Sequence, residues 1–136
     1  MFIVQPVRSP EYQKELAEQL GGKMHDGAFA FCATEMEDDL TTVKYPIAVC
    51  QFTFTTEKAV IKSLDIRSGS EKDEAVTILV RTVMNWVYRA DVPFIEFDEG
   101  AADEEYIKSV SFCRNAEGRY SIDLKLFYKS PCHYGK

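Results

Sequence analysis

The sequence predicts an α/β protein built on one central mixed sheet: three antiparallel strands, then a parallel β-α-β crossover, with helices on both faces. Two observations support this fold class. A long amphipathic segment at 70–89 stands between two strand-like runs at 59–66 and 94–98. Strands joined by such a helical crossover pair in parallel. Before the crossover, neighbouring apolar runs separated by a short turn indicate antiparallel strands.

The size and charge of the chain limit its class. Its 136 residues are predicted to form one domain, 1–136, and 46% of them are hydrophobic, which is enough for a proper core. No apolar run approaches the roughly 18 residues of a membrane span, and the N-terminus is too polar for a signal peptide. These features predict a cytoplasmic protein without membrane contact. The formal charge is −6 and the basic residues are scattered, so nucleic acid is not an expected partner.

The four cysteines do not indicate a metal site. Cys32, Cys50, Cys113 and Cys132 form no CxxC pair, and their spacing suits no zinc motif. Cys32 and Cys50 lie in apolar runs and are predicted to be small core residues. Cys132 stands beside His133, but adjacent side chains on an extended chain point to opposite faces, so we expect an ordinary tail there.

The first elements of the chain are marked by clear start and stop signals. A strand is predicted at 2–7. Ser9-Pro10-Glu11 then provides an N-cap, a first-turn proline and an acid, and Gly21-Gly22 ends the helix. A buried strand is predicted at 27–34, followed by an acidic loop at 35–46 that has no periodicity.

The middle of the chain carries the predicted crossover. Strands at 47–54 and 59–66 flank a turn of four residues, which suits an antiparallel hairpin. The helix at 70–89 then buries one face, since its apolar residues recur every three or four positions. These residues are Val76, Leu79, Val80, Val83 and Val87. A turn leads into the parallel strand at 94–98.

The last third of the chain is predicted to hold a short helix and two strands. The helix spans 103–109, with acids crowding its first turn, where the helix dipole favours them. A short strand follows at 111–114. At 120–129 apolar and other residues alternate over five consecutive pairs, which predicts a long final strand.

This order of elements resembles the GNAT family of acyl-CoA-dependent N-acyltransferases over nearly the whole chain. Leu64-Asp65-Ile66 is similar to the end of the strand that precedes the family's cofactor loop. The segment 103–112 (DEEYIKSVSF) resembles the family's late helix, and 120–132 (YSIDLKLFYKSPC) resembles the end of a small divergent bacterial branch. The resemblance implies transfer of an acyl group, from acetyl-CoA or another acyl-CoA, to an amine whose identity the sequence leaves open.

The resemblance also implies where the acyl-CoA would bind. In the family the loop reads Arg or Gln, two residues, Gly, one residue, then Gly or Ala, and its amides hold the pyrophosphate. The best match here is 70–75, SEKDEA. The implied cofactor-binding residues are therefore Leu64, Ile66, Ser70, Glu71, Lys72, Asp73, Glu74 and Ala75.

That loop departs from the family pattern in its charge. Only Ala75 matches, and Glu71, Asp73 and Glu74 place carboxylates where a phosphate would sit. Two like charges ~4 Å apart repel by about 1 kcal/mol in water and by more at lower dielectric. Two interpretations remain: a weakened acyl-CoA site, or a well-capped helix that binds no ligand.

Candidates for acid and base follow from the chemistry of acyl transfer. A base must accept a proton from the amine, and an acid can protonate the leaving thiolate. The resemblance implies a tyrosine acid in the late helix; Tyr106 is one residue from the usual position, which falls on Ile107. Glu96 is the first candidate for the base, with Glu35 and Asp98 as further candidates. Each could equally be structural, as a packed tyrosine or a solvated carboxylate.

Three functions remain open from the sequence. The first is an acyl-CoA-dependent N-acyltransferase, acetylating an unknown amine. The second is a non-catalytic GNAT-like domain that acts in protein interaction or as a subunit of a homodimer, which the poor loop match favours. The third is an α+β binding domain unrelated to the family.

Overall fold

The computed structural model describes residues 1–67 and 73–129, which form a seven-stranded mixed sheet of order β1-β2-β3-β4-β5-β7-β6. The strands are β1 (Phe2–Pro6), β2 (Phe29–Met36), β3 (Val43–Phe54), β4 (Lys58–Ile66), β5 (Phe94–Phe97), β6 (Cys113–Arg114) and β7 (Tyr120–Asp123). The helices described are α1 (Pro10–Gln19), α2 (Asp73–Arg89), α3 (Glu104–Ser109) and α4 (Leu124–Lys129).

The strand pairing confirms the predicted sheet. Strands β1 to β4 pair antiparallel in chain order. The chain then crosses through α2, and β5 pairs with β4 in parallel, with Lys58 opposite Phe94 and Ile61 opposite Phe97. Strand β7 returns antiparallel to β5, and β6 forms the outer edge beside it. The predicted class, an α/β mixed sheet with three antiparallel strands before a β-α-β crossover, is therefore correct.

Helices cover opposite faces of the sheet, as predicted. On one face Phe52 of β3 meets Trp86 of α2, with ring centroids 5.5 Å apart. The neighbouring side chain of β3 points the other way, because strand side chains alternate. There Gln51 accepts a hydrogen bond of 2.9 Å from Gln13 of α1. Helices α1 and α2 thus lie on opposite sides of β3.

Helix α1 begins as its sequence indicates. Ser9 is extended and its Oγ accepts a hydrogen bond from the Tyr12 amide at 3.1 Å, while Pro10 occupies the first turn. The helix ends before Gly21, whose φ of +87° is a conformation that a residue with a Cβ rarely adopts. The capping residues therefore fix both ends of the helix.

The predicted loop at 35–46 is wrong at both ends. Strand β2 continues to Met36 and β3 begins at Val43, so that the connection is a tight turn of only six residues, 37–42. Asp39 closes this turn, since its carboxylate accepts hydrogen bonds from the amides of Thr41 and Thr42. These hydrogen bonds lower the pKa of Asp39 to about 2. A bulge in the β2–β3 ladder breaks the alternation that would have marked the strands.

The predicted long strand at 120–129 is also wrong. Strand β7 stops at Asp123, whose Oδ1 accepts a hydrogen bond from the Leu126 amide and so starts helix α4. Leu124 and Phe127 are buried, three residues apart on one side of the helix, whereas Leu126 is 50% exposed. The apolar spacing is therefore helical, and the regular alternation in the sequence is coincidental.

The remaining predictions on these elements have mixed outcomes. The late helix is confirmed as α3, and the short strand at 111–114 shrinks to the two residues of β6. Cys32 and Cys50 are buried, as predicted, and burial raises the pKa of both thiols. Cys132 and His133 lie outside the described residues.

Within the described residues, no group of three or more His, Cys, Asp and Glu could hold a metal ion, and no helix is long and apolar enough to cross a membrane.

Two alanine substitutions in α4 distinguish the helix from the strand that the alternation predicted. We expect Phe127→Ala to lower the free energy of unfolding by roughly 3–5 kcal/mol, because it empties a buried site, and Leu126→Ala to lower it by less than about 1 kcal/mol. Denaturant titration monitored by circular dichroism measures both. A strand would give the reverse order, since Leu126 would share the buried face with Leu124.

Candidate functional site

The candidate site lies where β4 and β5 separate. Phe52 of β3 pairs with Ile61 and Gln51 pairs with Ser63, which leaves Lys62 as an extra, bulged residue in β4. The parallel pairing with β5 ends at Ile61 and Phe97. Beyond this pair the residues of β4 have no partner in β5, so the two strands separate.

The segment after β5 bends back toward β4. The amide of Asp98 donates to the Ile61 carbonyl at 2.9 Å, which continues the ladder by one bond. The Leu64 amide then donates to the Ala101 carbonyl, also at 2.9 Å. The segment 98–101 therefore lies against the part of β4 that the resemblance implies for the cofactor, and the amide of Leu64 is already engaged.

The implied cofactor residues have different environments. Leu64 is buried and Ile66 is partly buried at the end of β4. Ser70, Glu71 and Lys72 lie outside the described residues, as does the side chain of Asp73, whose backbone begins α2. Glu74 is exposed, and Ala75 is 4% exposed and packs in the main core. The assignment of all these residues to an acyl-CoA site remains a prediction.

Arg67 is a charged residue of this region that the sequence reasoning missed. It follows β4 directly, at the entrance to the loop that would hold a phosphate. Its Nε donates to the Pro46 carbonyl at 3.0 Å, and its guanidinium lies 4.5 Å from the centre of the Tyr45 ring. The side chain is thus fixed by a hydrogen bond and a cation–π contact. Its place just after a strand that precedes the loop was the signal available in the sequence.

Glu96 and Asp98 lie on one face of the sheet, as their spacing predicted, within a cluster of charges. Glu96 is 5% exposed, and its Oε1 accepts a 3.3 Å hydrogen bond from Lys58 Nζ. Asp98 is more open and forms ion pairs with Lys62 at 3.0 Å and Arg119 at 2.8 Å. The hydrogen bonds from these two cations lower the pKa of Asp98.

Glu35 is separated from this cluster. It pairs with Phe2 at the β1–β2 edge, three strands from β5, and its carboxylate binds the N-terminal amine of Met1 at 2.7 Å. The structure thus brings together two of the three candidate bases. It also adds Arg119, which reaches them from the turn before β7 and which no motif in the sequence singles out.

Tyr106 and Ile107 pack at different places on α3. Ile107, at the position implied for the family's tyrosine, is 5% exposed and belongs to the main core. Tyr106 is partly buried and packs against that core from outside. A cavity of about 390 Å³ between β5, α3 and the β6–β7 turn is lined by Ile107 together with Asp98 and Arg119. The role of Tyr106 as an acid remains a prediction.

A cluster of buried polar side chains lies beside β4 on the face of the sheet that α1 covers. Gln51 donates to the Lys23 carbonyl at 2.8 Å and to Ser63 Oγ at 3.2 Å. Next to it Asp65 packs against Gly22 so closely that a Cβ on Gly22 would lie 2.3 Å from Asp65 Oδ2. Oδ2 is buried and has no hydrogen-bond partner among the described residues. Burial raises the pKa of Asp65, and the charge of His25 opposes the rise.

Comparison with known proteins identifies solved structures with a similar fold. No protein-family model and no curated protein matches the chain. The fold matches an acetyltransferase of the GNAT family from Staphylococcus aureus Mu50 with a TM-score of 0.64 at 11% identity, over 91% of this chain and 99% of that chain. It matches the ribosomal-protein-S18-alanine N-acetyltransferase from Escherichia coli with a TM-score of 0.58 at 10% identity, over 89% of both chains.

A third similar structure contains a ligand of interest. A chain of the NatC complex, solved bound to Gag peptide and CoA, matches with a TM-score of 0.61 at 13% identity, over 88% of this chain and 94% of that chain. At these identities the matches concern the fold alone. The first two of the three are acetyltransferases by name.

The half-buried carboxylate of Asp65 gives the folding stability a measurable pH dependence. Its pKa is higher in the folded than in the unfolded chain, so its protonated form favours the folded state and ionisation at higher pH destabilises it. We expect Asp65→Asn to raise the free energy of unfolding at pH 7 by a few tenths to about 1 kcal/mol, because solvent partly screens the charge. Urea titrations between pH 3 and pH 8 measure the difference.

The gain should shrink as the pH falls toward the unfolded carboxyl pKa of about 3.9, where both chains are neutral at this position. Asp38→Asn, at an exposed site in the turn after β2, serves as the control and should show no such trend. An Asp65→Asn variant that is less stable than the parent by the same amount at every pH would contradict the burial argument.

Proposed function

The chain has the fold of the GNAT N-acetyltransferases, and from this premise we propose that it binds an acyl-CoA, such as acetyl-CoA, and transfers the acyl group to an amine. The observation that carries the proposal is the separation of β4 and β5 after the bulge at Lys62, with the buried carboxylate of Glu96 beside the last paired residues. A reaction centre there would be reached from the end of β4 that leads into α2.

The reaction requires a base near the amine. The amine nitrogen attacks the thioester carbonyl, the C–N bond forms and the C–S bond breaks, the base accepts the ammonium proton, and the thiolate leaves and takes up a proton. Glu96 suits the role of base, because its carboxylate is 5% exposed and few water molecules compete with an amine for it. Asp98 suits it less, since Lys62 and Arg119 lower its pKa. Tyr106 remains our candidate for the proton donor to sulfur.

The phosphate end of the ligand would meet opposing charges. Arg67 offers a fixed guanidinium at the loop entrance, and helix α2 directs its N-terminus there, both of which favour an anion. Glu74, exposed in the first turn of α2, and the neighbouring acids Glu71 and Asp73 oppose it. The residues fit an acyl-CoA in part, and we expect weak binding whose affinity depends on Arg67.

One contact favours the second candidate function, a non-catalytic GNAT-like domain that acts through protein interaction. The amide of Leu64 donates to the Ala101 carbonyl, so a ligand could bind to that amide only after the segment 98–101 has moved. If that hydrogen bond persists in solution, the separation between β4 and β5 is filled by the chain itself. Binding of CoA therefore decides between the two functions.

Calorimetry with acetyl-CoA and CoA at millimolar concentration tests the proposed ligand. We expect Arg67→Ala to weaken binding by roughly fivefold or more, since it removes one charged contact to phosphate. We expect Glu71→Gln and Asp73→Gly each to tighten binding, because they remove a repelling carboxylate. Arg8→Ala, which removes an exposed arginine before α1, is the control and should leave the affinity unchanged.

Absence of heat and of a thermal shift with both ligands would remove the basis of the acyltransferase proposal and leave the interaction domain. Binding that is unchanged in Glu71→Gln and Asp73→Gly would instead show that these carboxylates point away from the ligand.

Acetylation kinetics test the proposed base. Once an acceptor amine supports turnover, we expect Glu96→Gln to lower kcat by ~100-fold or more, since the amide cannot accept the proton, while the affinity for CoA stays the same. Asp98→Asn should have a much smaller effect. We expect Tyr106→Phe to slow turnover if its hydroxyl protonates the thiolate, and unchanged turnover in that variant would exclude the role. Full activity of Glu96→Gln would assign the base elsewhere.

A further inference from the structure

A second cavity opens on the face of the sheet opposite α2. It has a volume of about 580 Å³ and lies over the beginnings of β4 and β5, between the β3–β4 turn and the β6–β7 turn. We call it the Glu96 cavity; its lining includes Glu57, Lys58, Phe94, Glu96, Glu117 and Ser121. The volume is in the range of small-molecule sites. It lies at the opposite end of β4 from the loop at 68–72.

The carboxylate of Glu96 has unused capacity to accept hydrogen bonds. Lys58 Nζ approaches Oε1 at 3.3 Å, and this is the one hydrogen bond that Glu96 accepts among the described residues. Arg119 lies 3.9 Å from Oε2, too far for a hydrogen bond, and directs its guanidinium to Asp98 instead. A carboxylate offers about four acceptor sites, and one that is this buried is stabilised by filling them.

An exposed aromatic ring lies beside this carboxylate. Phe94 is 45% exposed, although Ile95, the next residue of β5, is fully buried. Phe94 and Glu96 are two residues apart on the strand, so their side chains lie on the same face. A phenyl ring next to a carboxylate provides both an apolar surface and a face that attracts cations.

The charged side chains that line the cavity favour a positively charged ligand. Glu57, Glu96 and Glu117 contribute three carboxylates, against the one ammonium of Lys58 in the lining. The guanidinium of Arg119 lies 3.9 Å from Glu96 behind the lining, but its shorter ion pair, at 2.8 Å, is with Asp98. Lys58 is half exposed and its long side chain is held to Glu96 by one long hydrogen bond, so it can swing toward solvent. An incoming cation would then replace Lys58 on Glu96, whereas an anion would meet an excess of negative charge.

We propose that the Glu96 cavity is the acceptor site and that it binds an organic amine as its ammonium, with the nitrogen on Glu96 and an apolar or aromatic body on Phe94. The inference rests on the proposed function, in which Glu96 accepts the proton of that same ammonium. Glu96 pairs with Val60, and the parallel ladder ends one residue later. An acyl-CoA that entered from the far end of β4 and an amine in the cavity would therefore meet beside Glu96.

Titration calorimetry without CoA, at low salt and pH 7, tests the site. The probes are butylammonium and 2-phenylethylammonium, with 2-phenylethanol as the neutral analogue and phenylacetate as the anion. We expect at least one of the two ammonium ions to bind. The neutral analogue should bind at least roughly tenfold more weakly, and the anion should not bind. These ratios follow from the loss of a charge-assisted hydrogen bond to a buried carboxylate.

Variants of the cavity locate the binding. We expect Glu96→Gln to weaken ammonium binding roughly tenfold, and Phe94→Leu, which keeps the apolar area, to weaken the ammonium more than the neutral analogue. Glu11→Gln, at an exposed position of α1, is the matched control and should change nothing. Circular dichroism confirms that each variant is folded, and Phe94→Leu provides the test should Glu96→Gln fail to fold.

The outcomes separate this inference from the proposed function. Ammonium binding that depends on Glu96 and Phe94, in a chain that binds no CoA, would support an amine site in the cavity and overturn the transferase, and with it the cavity's role as acceptor site. CoA binding combined with no binding of either ammonium, or with binding unchanged in both variants, would overturn the site and leave the transferase. Preferential binding of phenylacetate would assign the cavity to an anion held by Lys58.

Discussion

The bulge at Lys62 is the constraint on which the rest of the site depends. An extra residue in one strand moves the side chain of every later residue to the opposite face of the sheet. Before the bulge, Ile61 points toward α2; after it, Leu64 pairs with Cys50 and points that way, while Ser63 and Asp65 turn toward α1. Without the bulge, Leu64 would turn toward α1, and the polar side chains of Ser63 and Asp65 would turn toward the core under α2.

Two carboxylates on one strand acquire different properties from their surroundings. Asp98 lies where the ladder ends and forms short ion pairs with both Lys62 and Arg119. Glu96, two residues earlier, is covered by the sheet; it accepts a long hydrogen bond from Lys58 and forms a distant ion pair with Arg119 at 3.9 Å. The position of each residue along the strand, rather than its chemical type, decides whether it serves a structural pair or remains available to a ligand.

The parts of the structure that follow from local chemistry were predictable, and those that depend on distant contacts were not. Ser9-Pro10, the turn at 55–58 and the crossover around α2 each carry their own signal. At 124–129 the same residues satisfy a strand pattern and a helical one, and the choice is made by capping from Asp123 and by burial of Phe127. Arg119 joins the site through the register of β7, which no local pattern of the sequence records.

Gln51 fills all four of its hydrogen-bonding positions: it accepts from Gln13 and the His25 amide, and it donates to Lys23 and Ser63. An amide is required there, because a carboxylate of the same shape has no donors. Deamidation of Gln51 would set a negative oxygen against the Lys23 carbonyl inside the protein. The attachment of α1 to the sheet therefore depends on one side-chain nitrogen, the Nε2 of Gln51.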